Sequence, residues 1–273
     1  LPARPELPTF SPTSLERYME CPYSYFLTER LGVPHTGALS EEMPQPALIF
    51  TDPYAPRTSR SSSLAVGTVA HRFFEKVFRI QPGTERDTIL SIVKEQEIAD
   101  HAEQERIVDL VLRMWEAFRR SDLGRRVLAS PEHYTELPFY APIGAGVISG
   151  KIDLLVHDGR DWTVLDYKTD DISYAEIPAR CERYSVQIRC YILAARRLLA
   201  LPPGAPPPQA ILYFTRINQP VSITMEPDEA DSFEQRLTDA IARIIAGNFA
   251  PVGGCPQKCC PELLSICRHA AAT

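Results

Sequence analysis

Gly150-Lys151-Ile152-Asp153-Leu154-Leu155-Val156-His157-Asp158-Gly159-Arg160-Asp161-Trp162-Thr163-Val164-Leu165-Asp166-Tyr167-Lys168-Thr169 reads as two β-strands joined by a turn. Asp158-Gly159 is the turn signal, since both residue types tolerate the positive φ of a tight hairpin. Gly146 to Val156 alternates with the period of two that a strand requires. Side chains two apart on a strand share a face, so Asp166 and Lys168 point one way while Leu165 and Tyr167 point the other. The hairpin can set Asp153 beside that pair, so two carboxylates and one lysine converge at one sheet edge.

Working outward, Tyr134 to Ala141 alternates as another strand, and Ala210–Thr215 and Val221–Met225 as two short ones. Helices are expected at Val66 to Phe78, where positions 66, 69, 70, 73, 74 and 77 form an apolar stripe, and at Arg86 to Arg120, whose inner side is Ile107, Leu110, Val111, Met114, Trp115 and Phe118. Arg183 to Leu201 and Asp228 to Ala246 complete the helices, the last stopped by Gly247. Near the start, Ser11-Pro12 is an N-cap followed by proline at the first helical position, opening a helix that reaches Cys21-Pro22. A second aromatic segment, Tyr23 to Leu31, follows it, and the Pro-, Ser- and Thr-rich residues 34–63 read as a long loop. The order gives an α/β fold: a central mixed β-sheet flanked by helices, with a helical N-terminal half.

The 273 residues carry a formal net charge of −6, which argues against general nucleic-acid affinity but leaves room for a local basic groove. No apolar run reaches the roughly 20 residues of a membrane helix, and no secretory signal is visible, so a cytoplasmic location is expected. A start at Leu1 suggests a piece of something larger.

Chemically, converging carboxylates are natural ligands of Mg²⁺, which keeps several waters and binds phosphate. A lysine two residues on can steady an attacking water or transition-state charge. A cross-strand salt bridge on a solvated face is the competing reading of these two strands alone. Gln187 and Tyr191, four apart on the next helix, share a face, as do Gly67 and His71, and His71 sits at the flank of the apolar stripe.

Four stretches in this order resemble the RecB-like branch of the PD-(D/E)XK nuclease superfamily: Gly67-Thr68-Val69-Ala70-His71, Gly150-Lys151-Ile152-Asp153, Asp166-Tyr167-Lys168-Thr169-Asp170 and Gln187-Ile188-Arg189-Cys190-Tyr191. The third and fourth look especially like the C-terminal nuclease domains of AddA, AddB and RecB helicase–nucleases. The resemblance implies a restriction-endonuclease-like core and a Mg²⁺- or Mn²⁺-dependent deoxyribonuclease, exonuclease rather than endonuclease, serving DNA repair and recombination. It implies Asp153, Asp166, Lys168, Gln187 and Tyr191 as the catalytic set. His71, Asp153, Asp166 and the Tyr167 carbonyl are the implied metal ligands. Glu136 is either a further acidic ligand or a surface strand residue. The implied partners are single-stranded DNA or duplex ends and a helicase motor in the same polypeptide or complex. This chain has no Gly-x4-Gly-Lys-Ser/Thr loop of its own. A DNA-binding module that keeps the fold without cleaving is the alternative, and the complete Asp/Asp/Lys set favours catalysis over it.

One domain is expected over 1–273: a helical segment 1–33 with Cys21, the loop 34–63, a helical part 64–130, a nuclease core 131–248 and a Cys-rich tail 249–273. The seven cysteines include four in that tail, an odd total that does not suit a disulfide framework. By resemblance to AddB-type and CRISPR-associated nucleases, Cys21, Cys255, Cys260 and Cys267 would hold a [4Fe–4S] cluster, with Cys259 the rival for the third place. The spacing Cys-x3-Cys-Cys-x6-Cys departs from the family's usual tail, which leaves Zn²⁺ or simple burial as alternatives. Cys181 and Cys190 read as core residues.

Overall fold

Ser11 sets the direction of the chain as it enters the fold. It follows a two-residue strand, β1 (Thr9–Phe10), and its hydroxyl accepts from the Ser14 amide while the Ser14 hydroxyl accepts from the Ser11 amide, a capping box that opens α1 (Pro12–Glu20). The computed structural model describes residues 7–33, 59–202, 204–250 and 267, the side chains of 59–63 excepted. Cys21 then caps α2 (Pro22–Tyr25), its sulfur accepting from the Ser24 amide, and a π-helical turn, Phe26–Arg30, completes the aromatic segment.

α3 runs over Ser59–Lys76, so the helix begins inside the stretch expected as loop; the remainder of that loop, 34–58, lies outside the described residues. The single helix expected over Arg86 to Arg120 is two, α4 (Glu85–Lys94) and α5 (His101–Arg120). Glu97 adopts φ 53°, which no right-handed helix accommodates, and Asp100 starts the next helix by accepting from the Ala102 amide at 2.9 Å. A short α6 (Asp122–Leu128), capped by Ser121, leads into the sheet.

The hairpin strands are β2 (Glu132–Ile143), β3 (Gly146–His157) and β4 (Trp162–Lys168), followed by α7 (Ile177–Arg183), α8 (Ser185–Leu198), β5 (Gln209–Phe214), β6 (Gln219–Ile223) and α9 (Pro227–Ile245). Among the described residues, six strands form one sheet in the order β1-β3-β4-β5-β6, with β2 on β3 and with β4 and β5 parallel. Both apolar faces are covered. One packs Leu15 and Tyr18 of α1, Ile188 and Tyr191 of α8 and Phe233 and Leu237 of α9. The other packs Phe73 and Phe74 of α3, Ile89 of α4 and Trp115 and Phe118 of α5. The result is the mixed sheet between helices that the element order predicts. No helix among the described residues is long and apolar enough to cross a membrane.

β3 carries the detail that matters for the site. β2 occupies one of its edges from Gly146 to His157. The other edge is shared: β1 pairs Val147 and Ile148, and β4 pairs Leu154 to His157. Between those two partners the edge forks open, and Asp153 stands at the mouth of the fork. The strand also turns over there. Ile148 and Ile152 pack in the first core, whereas Leu154 and Val156, which simple alternation would place on the same face, pack in the second. Opposite this switch, Glu136 of β2 has φ 48°, so both strands twist at the same point.

Candidate active site

Register brings three acids to one rung. Pairing of Thr135 with Leu154 and Leu137 with Ile152 sets Glu136 opposite Asp153, and pairing of Leu154 with Leu165 sets Asp166 at the next step beyond, opposite Asp153 on its other side. Asp153 and Asp166 are buried, 6% and 1% exposed. The Asp153 carboxylate accepts from the Tyr167 amide at 2.8 Å, replacing the ladder bond lost where the strands fork. The same oxygen lies 3.4 Å from His71 Nδ1 on α3. Buried polar groups demand such partners, and here the backbone and a helix supply them.

His71, Glu136 and Asp153 each offer a ligand atom within 4.8 Å of the others, a grouping of one imidazole and two carboxylates that suits a divalent cation. Asp166 is outside this group and pairs with Lys168 instead. Glu136, read from sequence as either ligand or surface residue, is part-buried and faces the group, with Lys151 3.4 Å from its other side. Burial, then the neighbouring Asp153 charge, pushes its carboxyl pKa up.

Lys168 is 6% exposed, and its surroundings are ordered. Its ammonium lies 3.0 Å from Asp166 Oδ2 and donates to Gln187 Oε1 at 2.8 Å. Gln187 Nε2 donates in turn to the Tyr191 hydroxyl at 2.9 Å, which orients the amide so that its oxygen faces the lysine. Gln187 and Tyr191 reach the site because residues four apart share a face of α8. The Lys168 carbonyl is held by the Thr215 amide at 2.8 Å and hydroxyl at 3.0 Å, just past the end of β5.

The structure therefore brings together every described side chain expected from sequence at this site, in two halves: His71 and Asp153 with Glu136, and Asp166 with Lys168, Gln187 and Tyr191. The Tyr167 side chain turns away into the second core against Phe74 at a ring separation of 4.5 Å, leaving only its backbone at the site. Three contributors had no separate expectation: Thr215, Asp170 as a partner of Tyr184, and Tyr184 itself, whose ring carries the Lys168 ammonium 4.1 Å from its centroid. Tyr184 stands three residues before Gln187, and that helical spacing was its available signal.

Of the cysteines, Cys21 and Cys267 are buried in one small cluster with Tyr23 and Leu27, though 246 positions apart in sequence. Cys255, Cys259 and Cys260 lie outside the described residues. Cys190 is enclosed in the first core, and burial pushes its thiol pKa up. Cys181 is partly buried against the same core.

The family model of the PD-(D/E)XK nuclease superfamily matches residues 9–268. Among curated proteins, an ATP-dependent helicase/nuclease polypeptide of Bacillus cereus (strain Q1) is 28% identical over 181 residues, covering 58% of this chain and 14% of the relative. Its counterpart in Clostridium perfringens (strain SM101 / Type A) is 27% identical over 161 residues, 52% of this chain and 12% of the relative. The counterpart in Desulforamulus reducens is 30% identical over 120 residues, 39% of this chain and 9% of the relative. The chain thus spans a small fraction of the length of these relatives.

Proposed function

The chain belongs to the PD-(D/E)XK nuclease superfamily, and from that premise we propose that it is a metal-dependent DNA nuclease, the nuclease domain of a repair or recombination helicase–nuclease. The observation that carries this reading is the buried rung of Asp153 and Asp166 with Lys168 fixed between Asp166 and Gln187. Burying these charges costs several kcal/mol per ion by the usual order of magnitude, which a surface salt bridge does not incur. A site that retains such an arrangement has the form of chemical machinery.

His71, Asp153 and Asp166 with the Tyr167 carbonyl, and Glu136 in addition, would hold Mg²⁺ or Mn²⁺. When bound, the ion supplies Lewis-acid polarisation of the phosphate and lowers the pKa of a coordinated water. The protein's own part is positional. Asp153 is locked by the Tyr167 amide and His71, so its second oxygen keeps a fixed direction. Lys168 presents a compact positive charge to a phosphate oxygen or an attacking water. Gln187 and Tyr191 hold that charge in place.

DNA ends or single strands are the proposed substrate, with exonuclease action, a cytoplasmic location and a helicase motor elsewhere in the polypeptide or complex; the helicase/nuclease names of the relatives support the motor. A [4Fe–4S] cluster on Cys21, Cys255, Cys260 and Cys267 is proposed on the donor chemistry of four thiolates and on the meeting of Cys21 with Cys267.

The test is end-labelled single- and double-stranded DNA incubated with Mg²⁺, Mn²⁺ or chelator. Cleavage that requires the metal and vanishes in Asp153→Asn is expected. Metal-dependent DNA binding without cleavage would replace this reading with a non-cleaving module. For the cysteines, anaerobically purified protein should absorb at about 400 nm and lose that band in Cys267→Ser; a colourless protein holding zinc would refute the iron assignment.

A further inference from the structure

Tyr184 is tied into the site from both ends of its side chain. The ring face meets the Lys168 ammonium at 4.1 Å. The hydroxyl lies 3.0 Å from each oxygen of Asp170 and donates to that carboxylate. Arg180 approaches the same carboxylate at 3.6 Å. Burial is the main cause that raises the phenol pKa, with Asp170 adding to it, so the group remains a donor throughout the working range. Charges along this chain alternate: guanidinium, carboxylate, polarised phenol, ammonium.

We infer that Tyr184 is a positioning residue of the nuclease site, whose ring caps the Lys168 ammonium and whose hydroxyl, anchored by Asp170, fixes that ring. This rests on the nuclease reading given above. An ammonium held by a carboxylate and an amide oxygen is aimed further by whatever else packs against it. An aromatic face is attractive to a cation without being a competing ligand for metal or a proton acceptor. It therefore restrains Lys168 without drawing it away from its target. A phenol donating to a carboxylate pushes electron density into its ring, which strengthens the hold. Gln187 and Tyr191 share a face of α8, and Tyr184 caps that helix at its N-terminal end, so the start of α8 and the residue before it present one three-residue cradle to Lys168. Asp170 lies two residues beyond Lys168 in the chain, which couples the end of β4 to α8 through this phenol.

The experiment compares Tyr184→Phe, Tyr184→Leu and Asp170→Asn in the whole chain. With excess Mg²⁺ and a labelled oligonucleotide, Tyr184→Leu should lower kcat about thirtyfold, the rate equivalent of about 2 kcal/mol for a desolvated cation–π contact, with KM for DNA little changed. Tyr184→Phe keeps the ring and should lose about threefold, as should Asp170→Asn, whose ring remains without its anchor. A Tyr184→Leu enzyme as fast as wild type overturns the inference, and so does a Tyr184→Phe enzyme as slow as Tyr184→Leu. An independent readout is the NMR shift of the Lys168 ε-methylene protons in ¹³C-lysine-labelled protein, assigned by their loss in Lys168→Arg. Ring shielding should move them upfield in wild type and Tyr184→Phe and not in Tyr184→Leu. If wild type cleaves no DNA, the nuclease reading fails and the ring contact is still decided by that shift; an unshielded ε-methylene in wild type removes the cap.

Discussion

Replacing Lys168 by methionine should destabilise the metal-free protein by about 3 kcal/mol, and removing Asp166 together with it should restore much of the loss. The lysine is 6% exposed and its partner Asp166 1%. Methionine fills a similar volume, so packing is nearly conserved and the effect is electrostatic. Three things are lost at once: the 3.0 Å contact to Asp166, the donor to Gln187 Oε1, and the cation over Tyr184. Breaking a buried pair from one side costs about 3–5 kcal/mol because the surviving charge remains buried. The lower end applies here, since the rung lies at the mouth of a strand fork. At about 2–4 °C per kcal/mol, the thermal midpoint should fall by about 6–12 °C. Calorimetry and urea unfolding in chelator would measure it, and the double variant Asp166→Asn, Lys168→Met should recover at least about half, since an uncharged pair no longer needs compensation. A single variant within about 1 kcal/mol of wild type would refute the reasoning, as would a double variant as unstable as the single. Both variants should be inactive, so stability and activity separate in the double.

Two further perturbations test other parts of the fold. Glu16 sits beside Glu20 on α1, and burial first, then Glu20, raises its pKa from 4.5 to about 7. A folded pKa above the unfolded one means that the native state binds more protons. The stabilising contribution is then complete below about 4.5 and is lost as pH rises to about 7. Glu16→Gln should therefore gain about 1–3 kcal/mol over wild type at pH 8 and nothing at pH 4.5, read by urea unfolding at both pH values; an equal difference at both would exclude the titration as its cause. Glu136→Gly should relieve the left-handed backbone at φ 48° and raise stability by about 0.5–1 kcal/mol while weakening Mn²⁺ binding at least about tenfold by paramagnetic resonance. Unchanged Mn²⁺ affinity would remove Glu136 from the metal site.

Sequence spacing reveals what is periodic and misses what breaks period. Asp166 and Lys168 are two apart on a strand, and Gln187 and Tyr191 four apart on a helix, so their meeting followed from geometry alone. β1 is two residues long and has no period to read. The break at residues 95–100 carries no glycine or proline to mark it, and the left-handed Glu97 is a conformation that glutamate does not announce. Asp170 closes the Asp166 to Asp170 run, but its contact with Tyr184 crosses from a strand end to a helix and is tertiary. Glu136 stayed ambiguous for a related reason. Simple alternation in β2 is interrupted at that residue, so counting from the strand ends does not tell which way its side chain faces.

That interruption is also why the site lies where it does. A regular strand would place Asp153 on one face with Leu155 and present its backbone to the next strand. Here the edge of β3 is divided between β1 and β4, and the face order inverts between Ile152 and Leu154. The fork exposes the Tyr167 amide, and the Asp153 carboxylate takes it. One irregularity thus serves three ends: it supplies the acid with a fixed donor, turns it toward His71 on a helix of the opposite layer, and keeps it on the register of Glu136 and Asp166. The cost is carried by Glu136, whose left-handed φ is worth about 1–2 kcal/mol of strain in an L-residue. Straightening this rung would favour the fold and disperse the acids, so the strain and the chemistry have one structural origin.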